Sequence, residues 1–314
     1  MESIYVAGTG FYLPEERITN AQLIESVDTS EEWISTRVGI NERRRAAEDE
    51  NTSDLAALAT EAALGRTGWK GEDLDLLVCA TSTPDALIPA TASFACRRME
   101  INPVAFDVNA ACSGFAYGVS VAGSMLGSGR FEKVAMVTAE KYTRVTDYSD
   151  RATCIFFGDS AGALLLQNEK PKKGLEVVDW VMANMNEGAG CVTTPIGGFF
   201  WQDGAKVKEY ALRGFRDSAL DILGRNDLGP EDLRAFVGHQ ANYRVLQTVC
   251  DTLGVHESQH WHNVRECGNQ GAAGAATALC QHLESDTLED GDLILVTTFG
   301  SGFTTGSVLL RAIA

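Results

Sequence analysis

The sequence predicts a layered α/β fold made of two similar halves. Three observations lead there. Short apolar runs alternate with helical patterns along all 314 residues. Segments of the two halves match each other at one constant offset. No Ser/Pro linker or low-complexity tract divides the chain.

Taken in order, the first half opens on an apolar strand at 4–7 and an Ala/Leu-rich helix at 53–67. Strands follow at 74–80 and 105–109, then a Gly/Ala/Ser-rich helix at 112–127 and strands at 133–138 and 161–167. The second half reads as a strand at 176–182, an amphipathic helix at 207–226 and a strand at 233–238. Helices at 243–254 and 271–284 and strands at 293–298 and 307–312 complete it.

The repeat is carried by three segments. Leu76-Leu77-Val78-Cys79-Ala80 resembles Ala235-Phe236-Val237-Gly238-His239 at an offset of 159. At that offset Val108–Gly114 falls on Cys267–Ala273, and Val134–Thr138 falls on Leu293–Thr297. The expected halves are 1–170 and 171–314, joined near 167–175.

Composition excludes several function classes. The chain is 45% hydrophobic and 22% charged, which is ordinary for a globular protein and argues against disorder. Its formal net charge of −17 repels phosphates and anionic lipid heads, so neither nucleic-acid nor membrane-surface binding is expected. No window reaches 18 consecutive apolar residues, and the first residues lack the pattern of a signal peptide. The eight cysteines are scattered without a CxxC pair, as in a reduced compartment. A cytoplasmic location is expected.

Three motifs carry chemistry. In Ala110-Ala111-Cys112-Ser113-Gly114-Phe115 a strand ends and Cys112 opens a helix of small residues. A thiol there faces the positive end of the helix dipole, which favours thiolate. A buried structural cysteine is the competing reading. His239, in Val237-Gly238-His239-Gln240-Ala241-Asn242, stands at the carboxyl end of a strand, where α/β proteins collect ligands. Asn269 lies in a turn before a second small-residue helix, nearly at the repeat position of Cys112. Alone it reads as a capping or turn asparagine. The repeat brings strand ends of both halves together, so Cys112, His239 and Asn269 can converge.

With Phe299-Gly300-Ser301-Gly302-Phe303 these motifs form a recognisable set. The sequence resembles the β-ketoacyl-acyl-carrier-protein synthase III family, initiating condensing enzymes of the thiolase fold, over nearly its whole length. The resemblance includes Gly8–Pro14, Asp28–Trp33, Thr36–Ile40, Asp150-Arg151, Phe157-Gly158-Asp159 and His239–Asn242. It implies a layered αβαβα arrangement, with the nucleophilic cysteine in one half and the His and Asn in the other.

The implied chemistry is a decarboxylative Claisen condensation. Cys112 would take the acyl group from an acyl-CoA. The backbone N–H groups of Cys112 and Ser301 would hold the oxyanion. His239 and Asn269 would stabilise the enolate of a malonyl thioester, carried by a carrier protein or by CoA. By resemblance, Trp33 and Arg151 would sandwich the adenine of CoA, with Arg37 at its phosphate end and Arg244 at the mouth. Leu87, Ile88, Tyr142 and Phe157 would line acyl pockets, the segment 84–92 crossing into the partner of a homodimer. Coenzyme A thioesters are substrates; no metal and no further cofactor is needed.

Three departures from the family pattern stand out. Asn269 is followed by Gln270-Gly271-Ala272-Ala273 where Thr-Ser-Ala-Ala is usual. Glu209 and Asp251-Thr252 stand where carrier-docking lysines are expected, although Arg244 remains, which predicts poor steering of an acidic carrier protein. Tyr142 replaces a smaller aliphatic residue, and 192–201 is a short, aromatic-rich entrance loop. These departures suggest a specialised substrate, as in secondary metabolism. Simple acyl transfer to an oxygen or nitrogen acceptor is the competing activity. A silent subunit of a condensing heterodimer is the competing non-enzymatic reading, and the intact Cys112 opposes it.

Two other patterns are set aside. Gly8-Thr9-Gly10 lacks the third glycine of a dinucleotide fingerprint, and Pro14 interrupts any helix. His256, His260, His262 and Cys267 match no standard zinc spacing.

Overall fold

A computed structural model describes residues 3–314. The first part of the chain runs β1 (Ile4–Tyr12), β2 (Glu16–Thr19), α1 (Asn20–Leu23), α2 (Glu31–Arg37), β3 (Glu42–Arg45) and α3 (Thr52–Thr67). It continues through β4 (Leu76–Ala80), α4 (Thr91–Arg98), β5 (Val104–Val108), α5 (Gly114–Leu126), β6 (Lys133–Lys141) and β7 (Asp159–Gln167). Then come β8 (Gly174–Asn184), β9 (Val192–Thr193), β10 (Trp201–Gln202), α6 (Gly204–Arg225) and β11 (Leu233–Gly238). The chain ends with α7 (Tyr243–Leu253), α8 (Val264–Cys267), α9 (Ala273–Ser285), β12 (Leu293–Gly300) and β13 (Thr304–Ile313).

Nine strands form one sheet in the order β11-β12-β13-β8-β1-β7-β6-β4-β5. Apart from the edge strand β5, the order is symmetric about the antiparallel β8–β1 pair: β4, β6 and β7 on one side mirror β11, β12 and β13 on the other. Helices α5 and α9 both have 13 residues and are displaced by the same 159 positions as the sequence repeat.

Five layers follow from which faces are apolar. In β6, Val134 and Met136 face one core while Ala135, Val137 and Ala139 face another. In β12, Ile294 and Val296 point inward and Leu295 and Phe299 outward. Strands apolar on both faces must be covered on both faces. Helices α5 and α9 touch strands of both halves and fill the centre; α3 and α4 cover one outer face and α6 the other, with α7 packed on α6. This is the αβαβα arrangement of the thiolase fold. Small residues let the central helices approach the strands: a Cβ on Gly162 of β7 would stand 2.6 Å from Cβ of Ala276 in α9.

Gly8 and Gly10 serve packing as well. A Cβ at Gly10 would lie 2.3 Å from the amide nitrogen of Ala63 in α3. The buried Arg43 on β3 holds the 154–157 segment, its Nε and NH2 donating to the Ile155 carbonyl and its NH1 to Asn20 Oδ1. Asp159 at the start of β7 accepts from the Thr143 and Ala46 amides. Among the described residues no helix is long and apolar enough to cross a membrane.

Two expected helices start later in the structure, at Gly114 rather than 112 and at Ala273 rather than 271. In both places a turn with positive φ precedes the helix: Ala111 has φ 47° and Gly271 has φ 55°. The helix expected at 207–226 instead begins at Gly204, because Asp203 caps it by accepting from the Lys206 amide.

Candidate functional site

At the carboxyl end of β5 the chain turns sharply through Ala111, so Cys112 sits on an elbow just before α5. The Ser113 and Gly114 amides bond back to the Ala110 and Ala111 carbonyls and tighten the turn. Seven of the eight cysteines are buried and Cys112 alone is part-exposed, at the floor of a cavity of about 250 Å³. The expected thiolate is not its resting form. Burial pushes the thiol up to about 12, and the negative charge of Glu140 adds to this, while the Tyr142 hydroxyl and the residue's own amide pull the other way. Desolvation and the neighbouring carboxylate outweigh these two hydrogen bonds.

His239 and Asn269 line the same cavity. His239 follows the last residue of β11 and is fixed by its amide donating to the Thr297 carbonyl. Burial lowers its imidazole to about 4, so the ring is neutral. Its Nδ1 is buried with no hydrogen-bond partner among the described residues. Asn269 is held from both sides: its amide donates to the Phe156 carbonyl, and its own carbonyl accepts from the Gly158 amide. Its Oδ1 accepts from the Gly271 amide, which turns the NH2 end into the free donor. Gln270 does not face the cavity. It is buried, bonded to Asn263, the Gly268 carbonyl and Thr277, and braces the turn from behind.

The turn after β12 closes the cavity beside the cysteine. A Cβ on Gly300 would lie 2.8 Å from the Cys112 amide nitrogen and 2.7 Å from that of Ser113. Only a glycine lets this strand end press on the elbow. Ser301 lines the cavity, with its hydroxyl donating to the Val192 carbonyl.

Tyr142 and Phe157 form one wall, stacked with ring centroids 4.8 Å apart. Phe200, from the β9–β10 hairpin, meets Phe157 edge-on at 4.6 Å. Leu87 and Ile88 do not line this cavity: both are largely exposed, at 74% and 85%.

A second cavity of about 350 Å³ shares Phe157, Ala241, Asn269 and Phe299 with the first and leads outward. Arg37 and Arg244 line it, and Arg244 is tethered to the Thr36 carbonyl and Gln247. Lys208, which the sequence reading passed over, lines it too. Glu209 and Asp251 are exposed, and among the described residues no acidic side chain lines this mouth. The acidic mouth expected from sequence is thus corrected: Glu209 sits one position past Lys208 on α6, which turns a different face outward. Trp33 lies one helical turn from Arg37 on α2, with the Arg151 guanidinium 5.7 Å from its ring centroid. That pair is closed on itself as a cation–π contact and lines neither cavity.

Sequence reasoning also missed Ser82 and Thr83 at the cavity and Glu140 behind it. Of these only Glu140 left a signal, a carboxylate inside an apolar strand. The rings of His260 and His262 lie 4.8 Å apart, but among the described residues no three histidines, cysteines or carboxylates group as metal ligands. His260 and His262 pack on Tyr243, His282 stacks on Trp261, and His256 caps a turn at the surface.

Two family models match the chain: 3-oxoacyl-[acyl-carrier-protein] synthase III over residues 106–185 and its C-terminal counterpart over residues 223–312. A β-ketoacyl-[acyl-carrier-protein] synthase III of Sulfurovum sp. is 39% identical, covering 96% of this chain and 93% of that protein. The crystal structure of the Aquifex aeolicus 3-oxoacyl-[acyl-carrier-protein] synthase III superposes with a TM-score of 0.94 at 34% identity, covering 98% of this chain and 99% of that one. The priming β-ketosynthase of the R1128 polyketide pathway gives 0.90 at 30% identity, covering 99% and 96%. The protein is therefore an acyltransferase of the thiolase fold, a condensing enzyme by class. Within that class the chain belongs to the β-ketoacyl-[acyl-carrier-protein] synthase III family.

Proposed function

We propose that the protein condenses an acyl group from an acyl-CoA with a malonyl thioester, releasing CO₂ and a 3-ketoacyl thioester. The observation that carries this reading is the convergence of Cys112, His239 and Asn269 on one cavity, with the imidazole held neutral and its ring proton unspent. In this reading the Cys112 sulfur attacks the acyl carbonyl and coenzyme A leaves as its thiolate. The oxyanion is held by the backbone N–H groups of Cys112 and Ser301, which the close approach of Gly300 supports. The malonyl thioester then loses CO₂. The resulting enolate oxygen accepts hydrogen bonds from His239 and from the Asn269 NH2 group. A neutral histidine suits that task, because it donates without adding a proton that would quench the carbanion. The enolate carbon attacks the acyl-cysteine and expels the Cys112 thiolate.

Arg37, Lys208 and Arg244 give the outer cavity the charge to receive a phosphate-bearing arm, from CoA or from a carrier protein. Binding adenine between Trp33 and Arg151 requires their contact to open first. The exposed Leu87 and Ile88 support a homodimer in which 84–92 reaches the partner's acyl pocket. Sedimentation at micromolar concentration tests this: a dimer is expected, and a monomer would contradict it. Fatty-acid initiation and priming of a specialised pathway share this chemistry. The test is intact-protein mass after mixing with a series of acyl-CoA donors, followed by addition of malonyl-CoA or malonyl carrier protein. An acyl adduct on Cys112 that then disappears with release of CO₂ supports condensation. An adduct that passes to an alcohol or amine without CO₂ supports simple acyl transfer instead.

A further inference from the structure

Behind Cys112 lies a chain of hydroxyl groups that ends on a buried carboxylate. The Tyr142 hydroxyl is 3.9 Å from the Cys112 sulfur, within reach of a sulfur hydrogen bond, and 3.0 Å from the Ser82 hydroxyl. Ser82 Oγ is 2.8 Å from Oε1 of Glu140, and the Ser82 amide donates to the same oxygen at 3.0 Å. Thr83 donates to Oε2 at 2.5 Å. Glu140 is wholly buried, and its hydrogen-bond partners among the described residues are hydroxyls and backbone amides.

Counting protons gives the chain a direction. The carboxylate only accepts, so Ser82 spends its one hydroxyl proton on Glu140. Between Tyr142 and Ser82 the phenol must then donate, and between Cys112 and Tyr142 the thiol must donate. Every link therefore points from sulfur to carboxylate. The charges act against coexistence, because burial and the Glu140 charge both disfavour a thiolate while the carboxylate is ionised. The Thr83 and Ser82 hydroxyls and the Ser82 and Ala272 amides donate to Glu140, whose charge in turn acts on Cys79 on β4, Cys112 and Tyr142, each held neutral by burial. Lys141 points away, to the carbonyls of Ala47 and Glu50.

We propose that Cys112 loses its proton along this chain, with Tyr142 as a catalytic residue and Ser82 and Glu140 acting through it. The proposal rests on Cys112 being the nucleophile. The S–H bond breaks as its proton passes to the Tyr142 oxygen. The Tyr142 proton passes to Ser82, and the Ser82 proton to Glu140. The products are a thiolate and a neutral carboxylic acid, with no net change of charge. All donors then reverse, so the Tyr142 O–H donates to the sulfur anion. The proton waits on Glu140 through the acyl-enzyme and returns when condensation expels the Cys112 thiolate. The departing coenzyme A thiolate takes its proton from solvent. Burial raises Glu140 to about 7, which places this base near working pH.

The test is alkylation of Cys112 by iodoacetamide across pH 5–10, followed by peptide mass. It needs no acyl substrate and reports thiolate alone. Tyr142→Phe keeps the ring that stacks on Phe157 and removes only the hydroxyl. The expected result is at least about tenfold slower alkylation at pH 7.5, with the profile moved to higher pH by a unit or more. Glu140→Gln should erase the inflection near 7, and a melting curve checks its folding. A Tyr142→Phe profile that overlays the wild type overturns the proposal. So does a uniform slowing without a shift, which marks a structural role, or a shift seen only in His239→Gln, which makes His239 the base. If the relay appears in alkylation but no acyl-CoA ever acylates Cys112, the condensing reading fails and the relay stands.

Discussion

Gly271 makes room for Tyr142: a Cβ on Gly271 would lie 2.2 Å from Cε2 of the tyrosine ring and 3.1 Å from Cγ of Glu140. Two of the departures from the family pattern are therefore one feature. The aromatic wall beside Cys112 exists because the turn after Asn269 carries no side chain there. Gly271→Ala should destabilise the fold by about 1–3 kcal/mol through overpacking, with its positive φ adding strain. In a Tyr142→Leu background the same change should cost less. Urea denaturation of the two single variants and the double variant reads the coupling; strict additivity would mean that the residues do not compete for space.

In the proposed reading the Tyr142 ring also shortens the cavity that receives the acyl chain. Tyr142→Ala should shift donor preference toward longer chains, raising the ratio of kcat/KM for a long over a short acyl-CoA by about tenfold or more. Taking the ratio removes any general loss of activity from the missing hydroxyl. An unchanged ratio would place chain-length control elsewhere.

The proposed division of labour between Cys112 and its partners predicts two kinds of defect. Cys112→Ala should give no acyl adduct at all. His239→Ala and Asn269→Ala should still acylate and should lose about 10²–10³ in decarboxylation each. The readouts are adduct mass and CO₂ release. Native decarboxylation by Asn269→Ala would remove that residue from the enolate site.

The buried histidines set an acid limit on stability. His239, His260 and His262 are each lowered from 6.5 to about 4 by burial. In that window the unfolded chain binds more protons than the folded one, so their contribution is present above pH 6.5 and is lost as pH falls toward 4. Glu140 and Asp159, raised to about 7 and about 6, act in the opposite direction and lose stability as pH rises. Comparing His239→Gln with the wild type isolates one histidine. The variant's stability should depend less on pH between 6.5 and 4, by about 1 kcal/mol per unit. Parallel curves from urea unfolding would mean that His239 is not desolvated in solution.

Much of this was legible in the sequence, for a physical reason. A strand covered on both faces must be apolar throughout, so β4, β6, β11 and β12 and their common offset stood out. His239 was readable because strand ends gather ligands. Cys112 was placed at the right corner but expected as a thiolate, since burial and the charge of Glu140, which oppose it, come from residues distant in sequence. Ser82 and Thr83 follow β4 and carry no periodic signal. Lys208 was passed over for Glu209 because neighbouring positions on a helix point in different directions, and sequence alone does not say which faces the mouth.

That correction changes the expected response to salt. The whole chain is at −17, yet Arg37, Lys208 and Arg244 line the outer cavity. Over the last 8–10 Å or so, local charge outweighs distant charge at physiological ionic strength. Condensation with a malonyl carrier protein should slow as salt rises, and Lys208→Glu with Arg244→Glu should flatten or invert that trend. Malonyl-CoA serves as the control. A flat dependence in the wild type would restore the view that the acidic surface dominates.

The most direct test of the central claim is a single-turnover reaction. Protein acylated at Cys112 is freed of donor and mixed with malonyl carrier protein or malonyl-CoA, and CO₂, 3-ketoacyl thioester and remaining acyl-enzyme are counted together. The account predicts one CO₂ and one 3-ketoacyl thioester for each acyl-cysteine lost, and none of these from Cys112→Ala. Loss of the acyl group without CO₂, or CO₂ without a 3-ketoacyl product, would contradict it.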